Sequence, residues 1–361
     1  MRIGLLIYGS LNTISGGYLY DRKLVETLQG QGDEVELISL AAGSYERHLS
    51  DNLSIDLGRR LKALRAQVLL QDELNHPSLF WMNRRLKNQL PYPLISIVHH
   101  LRSKEYRPTW QNAIYRVIES AYLRSVDGFI YNSHASRQAV EAAVGQEPRR
   151  WRVIYPAGDR FNPDISEAEI RGRASETGPL RVLFIGNVTR RKSLHVLIDA
   201  LALRAEKDCH LTVVGNLQVE PTYVQEVHRQ VRKEGLADRV TWMGPVDDAK
   251  LAGLLRTHQV LVVPSSFEGY GIVYLEGMSF GLPAIGTTAG GAGEIITHRQ
   301  DGFLIEPGDA GCLAELLRSL QLDQAMLVRM SLAARQRYLA QPTWAQTGQA
   351  ARNFLVEMVK E

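Results

Sequence analysis

Cysteine is almost missing from this sequence. Cys209 and Cys312 are the only two among 361 residues. They form neither a metal-ligand spacing nor a disulfide framework, so a reducing cytoplasm is the expected setting. No run approaches the roughly 20 apolar residues that span a bilayer. The apolar start, Met1-Arg2-Ile3-Gly4-Leu5-Leu6-Ile7-Tyr8, lacks a basic leader, a long hydrophobic region and a small-residue cleavage site. It reads as a strand and not as a signal peptide. The sequons at Asn52 and Asn187 therefore carry little weight. Asp-x-Asp does not occur, and with it goes the usual clamp for a divalent cation beside a phosphate, so no metal is expected. Gly-x-Gly-x-x-Gly is absent after the first strand, which argues against a dinucleotide-dependent dehydrogenase.

What is present is ordinary soluble composition, 45% hydrophobic and 22% charged, on a chain long enough for two domains. The net charge of +3 is unevenly spread. Between 81 and 125, Arg84, Arg85, Lys87, Arg102, Lys104, Arg107, Arg116 and Arg124 face only Glu105 and Glu119. This pattern leaves two readings open: an anionic partner, such as a membrane surface touched peripherally or a phosphorylated acceptor, or a solvated face with no partner. No nucleic-acid partner is expected.

Short β-branched runs alternate with segments of helical period, the signature of βαβ units on parallel sheets. Strands are expected at 2–8, 34–40, 67–71, 94–99, 128–132 and 152–156, with helices at about 18–30, 77–89, 109–124 and 134–144. A polar stretch with Gly and Pro at its ends, 157–179, reads as a linker. Alternation resumes with strands at 181–186, 210–215, 239–243, 259–264, 283–287 and 303–306, and helices at about 193–205, 221–234, 247–256, 271–280 and 310–320. The tail from about 323 is helical. The expected architecture is α/β: two Rossmann-like, doubly wound domains facing across a cleft, at 1–160 and 161–342.

The most informative stretch runs from Val260 to Pro283. A buried strand ends at Pro264, and the turn Gly269-Tyr270-Gly271 opens a helix. Unpaired N–H groups at such a start suit a phosphate, and glycine lets the phosphate approach. Glu268 lies at the mouth and Glu276 inside the helix, two carboxylates able to accept from sugar hydroxyls. A second strand ends at Gly186 and is followed by Arg190-Arg191-Lys192, positive charge near a helix start. Thr287 to Glu294 is a third strand end with a glycine-rich turn. In the first half, Gly16-Gly17 opens a helix and His99 closes a strand. Gly277-Met278-Ser279-Phe280-Gly281 fits the serine-hydrolase pattern, but it ends a helix and leads into a strand, the wrong context for a nucleophile elbow.

These residues resemble the retaining glycosyltransferases of family 4, which have the GT-B fold. The hallmark is a Glu-x7-Glu motif, here Glu268 to Glu276, and the resemblance covers essentially the whole chain. It implies that Glu268 holds the donor sugar and Glu276 the ribose of the nucleotide. Tyr270, Gly271, Ile272 and Val273 would face the diphosphate and sugar. Lys192 matches the family's phosphate lysine. Asn187 stands where an arginine is usual, and Ser193 where glycine is frequent, so Arg190 or Arg191 is left to supply the missing charge. Gly16 and Gly17 match a paired glycine near the diphosphate, and His99, rather than His100, a histidine beside the transferred sugar. Asn132-Ser133-His134-Ala135-Ser136 and Val153 to Asp159 match architectural signatures, and Trp344 stands where the family's last helix crosses back, which implies that a helix at about 343–361 packs on the first domain.

The implied activity is metal-independent transfer of a hexose-type sugar, with retention, from a nucleotide-diphosphate donor to an acceptor hydroxyl. The acceptor could be a glycan, a lipid-linked sugar or a small molecule. A sugar-nucleotide epimerase of the same fold and a non-catalytic nucleotide-sugar binding protein are the alternatives.

Overall fold

The computed structural model describes residues 1–13, 15–105, 108–203 and 208–360. Arg107 of the basic stretch and the end of the helix expected over 193–205 lie outside the described residues. The chain divides into two compact units, Met1–Pro156 with Pro342–Glu361, and Ala157–Gln341.

The first unit is built on β1 (Arg2–Tyr8), β2 (Glu34–Leu40), β3 (Val68–Asp72), β4 (Leu94–Val98), β5 (Gly128–Tyr131) and β6 (Trp151–Val153), in the order β2-β1-β3-β4-β5-β6. Every pair is parallel, with Leu5 opposite Leu37 on one side and Leu70 on the other. The helices are α1 (Gly16–Gly30), α2 (Tyr45–Asp51), α3 (Ile55–Ala63), α4 (His76–Leu86), α5 (Thr109–Leu123) and α6 (His134–Val144). Serine starts several of them: Ser15, Ser44, Ser54 and Ser133 each accept an N–H of the first turn.

Right-handed crossovers put α2 to α6 on one face of the sheet and α1 on the other. One apolar cluster joins the first of these layers to the sheet, through Leu57 and Leu61 (α3), Leu79 and Met82 (α4), Tyr122 (α5) and Val140 (α6).

The second unit carries β7 (Leu180–Ile185), β8 (Cys209–Val214), β9 (Val240–Gly244), β10 (Val260–Val262), β11 (Ala284–Thr287) and β12 (Gly302–Ile305), parallel and ordered β12-β11-β10-β7-β8-β9. Its helices are α7 (Glu167–Ala174), α8 (Leu194–Ala202), α9 (Pro221–Lys233), α10 (Asp248–Thr257), α11 (Ile272–Ser279), α12 (Ala310–Leu322) and α13 (Gln324–Leu339). The last helix, α14 (Trp344–Lys360), belongs to the first unit and packs on α1. A Cβ at Gly348 would lie 2.2 Å from the Thr27 side chain, so the two helices approach closely there. Arg352 donates to Asp33 at 2.6 Å, and Trp344 meets Tyr20 edge-on.

Two expectations change. The stretch 157–179 is not a linker: it is part of the second unit and contains α7. Ser166 and Glu169 form a capping box, Ile170 is fully buried, and Arg173 donates to the carbonyls of Phe280 and Gly281 at 2.8 and 2.9 Å. A helix of eight residues with one buried apolar edge leaves too little period to stand out from its polar surroundings. The strand expected over 152–156 is the shorter β6, and the gap between β2 and β3 holds α2 and α3.

Candidate active site

In each sheet the strand order reverses beside a central strand, and doubly wound folds bind ligands beyond the carboxyl ends at that point. In the second unit the reversal lies between β7 and β10. The segments leaving those two strands are 186–193 and 263–271, the two stretches that the motifs single out.

The segments are tied to each other. The N–H of Ser266 donates to the Arg191 carbonyl at 2.8 Å, and Arg191 Nη1 donates to the Phe267 carbonyl at 3.0 Å. Lys192 Nζ donates to Glu268 Oε2, which also accepts from Ser265 Oγ at 3.1 Å, while Arg191 Nη1 stands 3.5 Å from Glu268 Oε1. Burial pushes the Glu268 carboxyl up, but Lys192, Arg191 and Ser265 outweigh it and bring the pKa down to about 2. The same burial pulls Lys192 below the usual lysine range against the pull of Glu268. Arg190 points elsewhere, to Glu226 on α9. Of the two arginines, Arg191 is therefore the one that joins Lys192 at Glu268.

Backbone geometry fixes this corner. Glu268 is bridged to Gly290: its N–H donates to the Ala289 carbonyl at 3.1 Å, and its carbonyl accepts from Gly291 at 2.8 Å. A Cβ on Gly290 would sit 2.0 Å from the Glu268 oxygen. The glycine-rich turn after β11 thus serves as the clamp on Glu268. Gly271 is the N-cap of α11, at φ 99°, with no side-chain cap. A Cβ there would strike the Tyr274 ring at 2.5 Å and approach Glu268 Cγ at 3.2 Å. Ile272 and Val273 follow in the first turn, where N–H groups have no intrahelical partner. Tyr270 is buried beside them.

Glu276 lies buried on α11, with Oε1 3.1 Å from Arg160 Nη1. Arg160 also binds Asp248 at the start of α10. Burial raises the Glu276 carboxyl and Arg160 counters it. No motif marks Arg160: it sits in the stretch read as linker, and only the fold brings it to Glu276. Ser279 is buried at the end of α11, not on a strand-to-helix turn, and donates to the Glu276 carbonyl at 2.7 Å.

In the first unit, His99 leaves β4 and is 7% exposed. Its Nε2 is 3.2 Å from Asp21 Oδ1 on α1, and its carbonyl accepts from Asn132 Nδ2 at 2.9 Å and Ser136 Oγ at 3.2 Å. Burial alone would lower the imidazole pKa, but Asp21, Asp72 and Glu73 raise it to about 9. His99 is thus held as a cation. A Cβ on Gly17 would lie 3.0 Å from the imidazole Cδ2, so Gly17 makes room for that ring, while Gly16 is the first residue of α1. His100 turns to Glu105 instead. Asp21, Asp72 and His99 each offer a ligand atom within 4.8 Å of the others, as do Glu73, His76 and Glu119.

The chain matches the family model described as "Glycosyl transferases group 1" over residues 166–337 and "Glycosyltransferase Family 4" over residues 20–159. The first match begins at the N-cap of α7. It is 28% identical to a glycogen synthase of Mycobacterium tuberculosis over 70% of this chain and 60% of that one. It is 30% identical to a D-inositol 3-phosphate glycosyltransferase of Pseudarthrobacter chlorophenolicus over 58% of this chain and 52% of the relative. These alignments therefore span little more than half the length of the curated relatives. Among solved structures, the fold resembles sucrose-phosphate synthase from Thermosynechococcus elongatus at a TM-score of 0.83 and 21% identity, covering 99% of each chain. It also resembles Anabaena Alr3699/HepE in complex with UDP and glucose, at 0.78 and 23%, again covering 99% of each chain.

Proposed function

The chain belongs to the group 1, family 4 glycosyltransferases of GT-B fold, and from that premise we propose that it transfers a hexose-type sugar from a nucleotide-diphosphate donor to an acceptor hydroxyl, with retention and without a metal. The observation that carries this reading is the charged corner of Lys192, Arg191 and Glu268 beside the glycine N-cap of α11.

Breaking the anomeric bond leaves negative charge on the departing diphosphate, and fixed donors aimed at that charge lower the barrier. Lys192, Arg191 and the N–H groups at 271–273 are such donors. As the two cations turn to the diphosphate, the Glu268 carboxylate is released to accept from the sugar hydroxyls. Glu276, fixed by Arg160, accepts from the ribose. The acceptor hydroxyl attacks on the face from which the phosphate leaves, and that phosphate takes the proton. The UDP bound by Alr3699/HepE makes UDP-sugars the first donors to try.

The test is a thermal-shift panel of UDP-, GDP- and ADP-sugars, followed by a transfer assay with the donor that binds, in excess EDTA. Transfer is expected to persist in EDTA with the anomeric configuration kept. Glu268→Gln, which keeps the shape at Lys192, is expected to lower turnover by at least about 100-fold, the scale of losing one dominant transition-state contact. Near-normal turnover in that variant, or donor turnover that needs no acceptor, overturns the reading.

A further inference from the structure

The outer face of the α2 to α5 layer is unlike any other surface of the first unit. Six of that unit's seven exposed large hydrophobics among the described residues lie on it: Leu53, Ile55, Trp81, Trp110, Ile114 and Val117. The seventh, Leu37, is on β2. On α5, Trp110, Ile114 and Val117 recur at helical spacing along one side, opposite the buried Glu119, Tyr122 and Leu123. The remaining three gather around α4. The backbone N–H of Trp81 donates to Asn52 Oδ1, next to Leu53, and the Arg85 guanidinium lies over the Trp81 ring.

The same helices carry a one-sided charge. Arg47 on α2, Arg59, Arg60 and Lys62 on α3, Arg84 and Arg85 on α4 and Arg116 on α5 are exposed, against the exposed acids Glu46 and Asp56. α2 packs on α4 and α4 on α5, so these residues decorate one continuous layer.

We propose that this face docks on an anionic phospholipid bilayer. Cations drawn to the headgroups, with tryptophan and aliphatic side chains set among them, are the chemistry of a helix lying in the membrane interface. A nucleic acid would use the cations but leave Ile55, Ile114 and Val117 without purpose. No helix among the described residues is long and apolar enough to cross a membrane, so the contact is peripheral. The inference does not rest on the transfer reaction, because vesicle binding is measured with no donor present.

The whole chain is sedimented with vesicles of equal parts phosphatidylglycerol and phosphatidylcholine, and with phosphatidylcholine alone. Binding is expected to the anionic vesicles only, and to weaken with added salt. Arg84→Glu/Arg85→Glu is expected to lower vesicle affinity by about two orders of magnitude. Trp110→Ser/Val117→Ser is expected to lower it about ten-fold with little dependence on salt. Both variants should keep the parental unfolding curve and donor affinity. Absence of binding to the anionic vesicles at low salt overturns the proposal. So does full vesicle binding by the Trp110/Val117 variant, which would mark the face as a general polyanion surface.

Discussion

His99 shows how one side chain is tuned by its neighbours. Asp21, Asp72 and Glu73 raise its pKa from 6.5 to about 9 in spite of burial. A group whose folded pKa is raised stabilises the fold fully below the unfolded value, near 6.5, and loses that contribution as pH rises through about 9. The gap corresponds to ~3 kcal/mol. Ionisation of the buried Glu73 and Glu119, whose carboxyls are raised mainly by burial, acts in the same direction. The expected outcome is an imidazole that stays protonated at pH 7 and titrates near pH 9 in an NMR titration, and stability that falls across the same range. In Asp21→Asn the titration should move back toward 6.5. A parental His99 titrating at or below 6.5 would contradict the ion-paired assignment. His99 could be picked from the sequence because it ends a strand. Asp21 could not: it lies on the inner side of α1 with nothing in its neighbours to mark it, and only the packing of α1 on the sheet brings it to the imidazole.

At the scale of elements, the working unit is the strand, turn and helix from β10 to α11. Its ends were readable because a buried β-branched run, a glycine turn and a mostly apolar segment, buried at seven of its eight positions, each leave a local signal. The turn after β11 was readable as a glycine-rich strand end, but not as the clamp on Glu268, since an approach so close that a Cβ on Gly290 would lie 2.0 Å from the Glu268 oxygen leaves no trace except the glycine. α7 and Arg160 were hidden for a related reason: their partners, Phe280, Gly281 and Glu276, are more than a hundred residues away. The basic stretch was half legible. Charge can be counted, whereas the outward direction of Trp110, Ile114 and Val117 requires knowing which side of α5 is buried. Gly271 gives the sharpest test at this scale. Gly271→Ala puts a Cβ at φ 99° against Tyr274 and Glu268, at a cost of about 1–3 kcal/mol, and should weaken donor binding about ten-fold or more by calorimetry. Gly293→Ala, whose Cβ would meet nothing closer than 3.6 Å, should leave both stability and affinity near the parental values. Equal behaviour of the two variants would remove Gly271 from the site.

Across the whole molecule, the two units have the same construction but unequal chemistry. Each is a parallel six-stranded sheet whose order reverses beside its central strand. The second unit holds the cations, the glycine N-cap and both motif glutamates at or after its reversal point, and the proposed donor site is built from these residues. The first unit holds the buried imidazolium near its own reversal point, and the basic, apolar helical layer on one face. The division explains why family likeness in this chain speaks most clearly through the second unit, and why the acceptor is read less easily than the donor. The most direct test is a crystal structure with the nucleotide sugar that the donor panel selects. The account predicts the diphosphate on the N–H groups of residues 271–273, with Lys192 and Arg191 turned toward it, Glu268 on the sugar and Glu276 on the ribose. A ligand bound elsewhere, or one that leaves the Lys192–Glu268 pair intact and untouched, would contradict it.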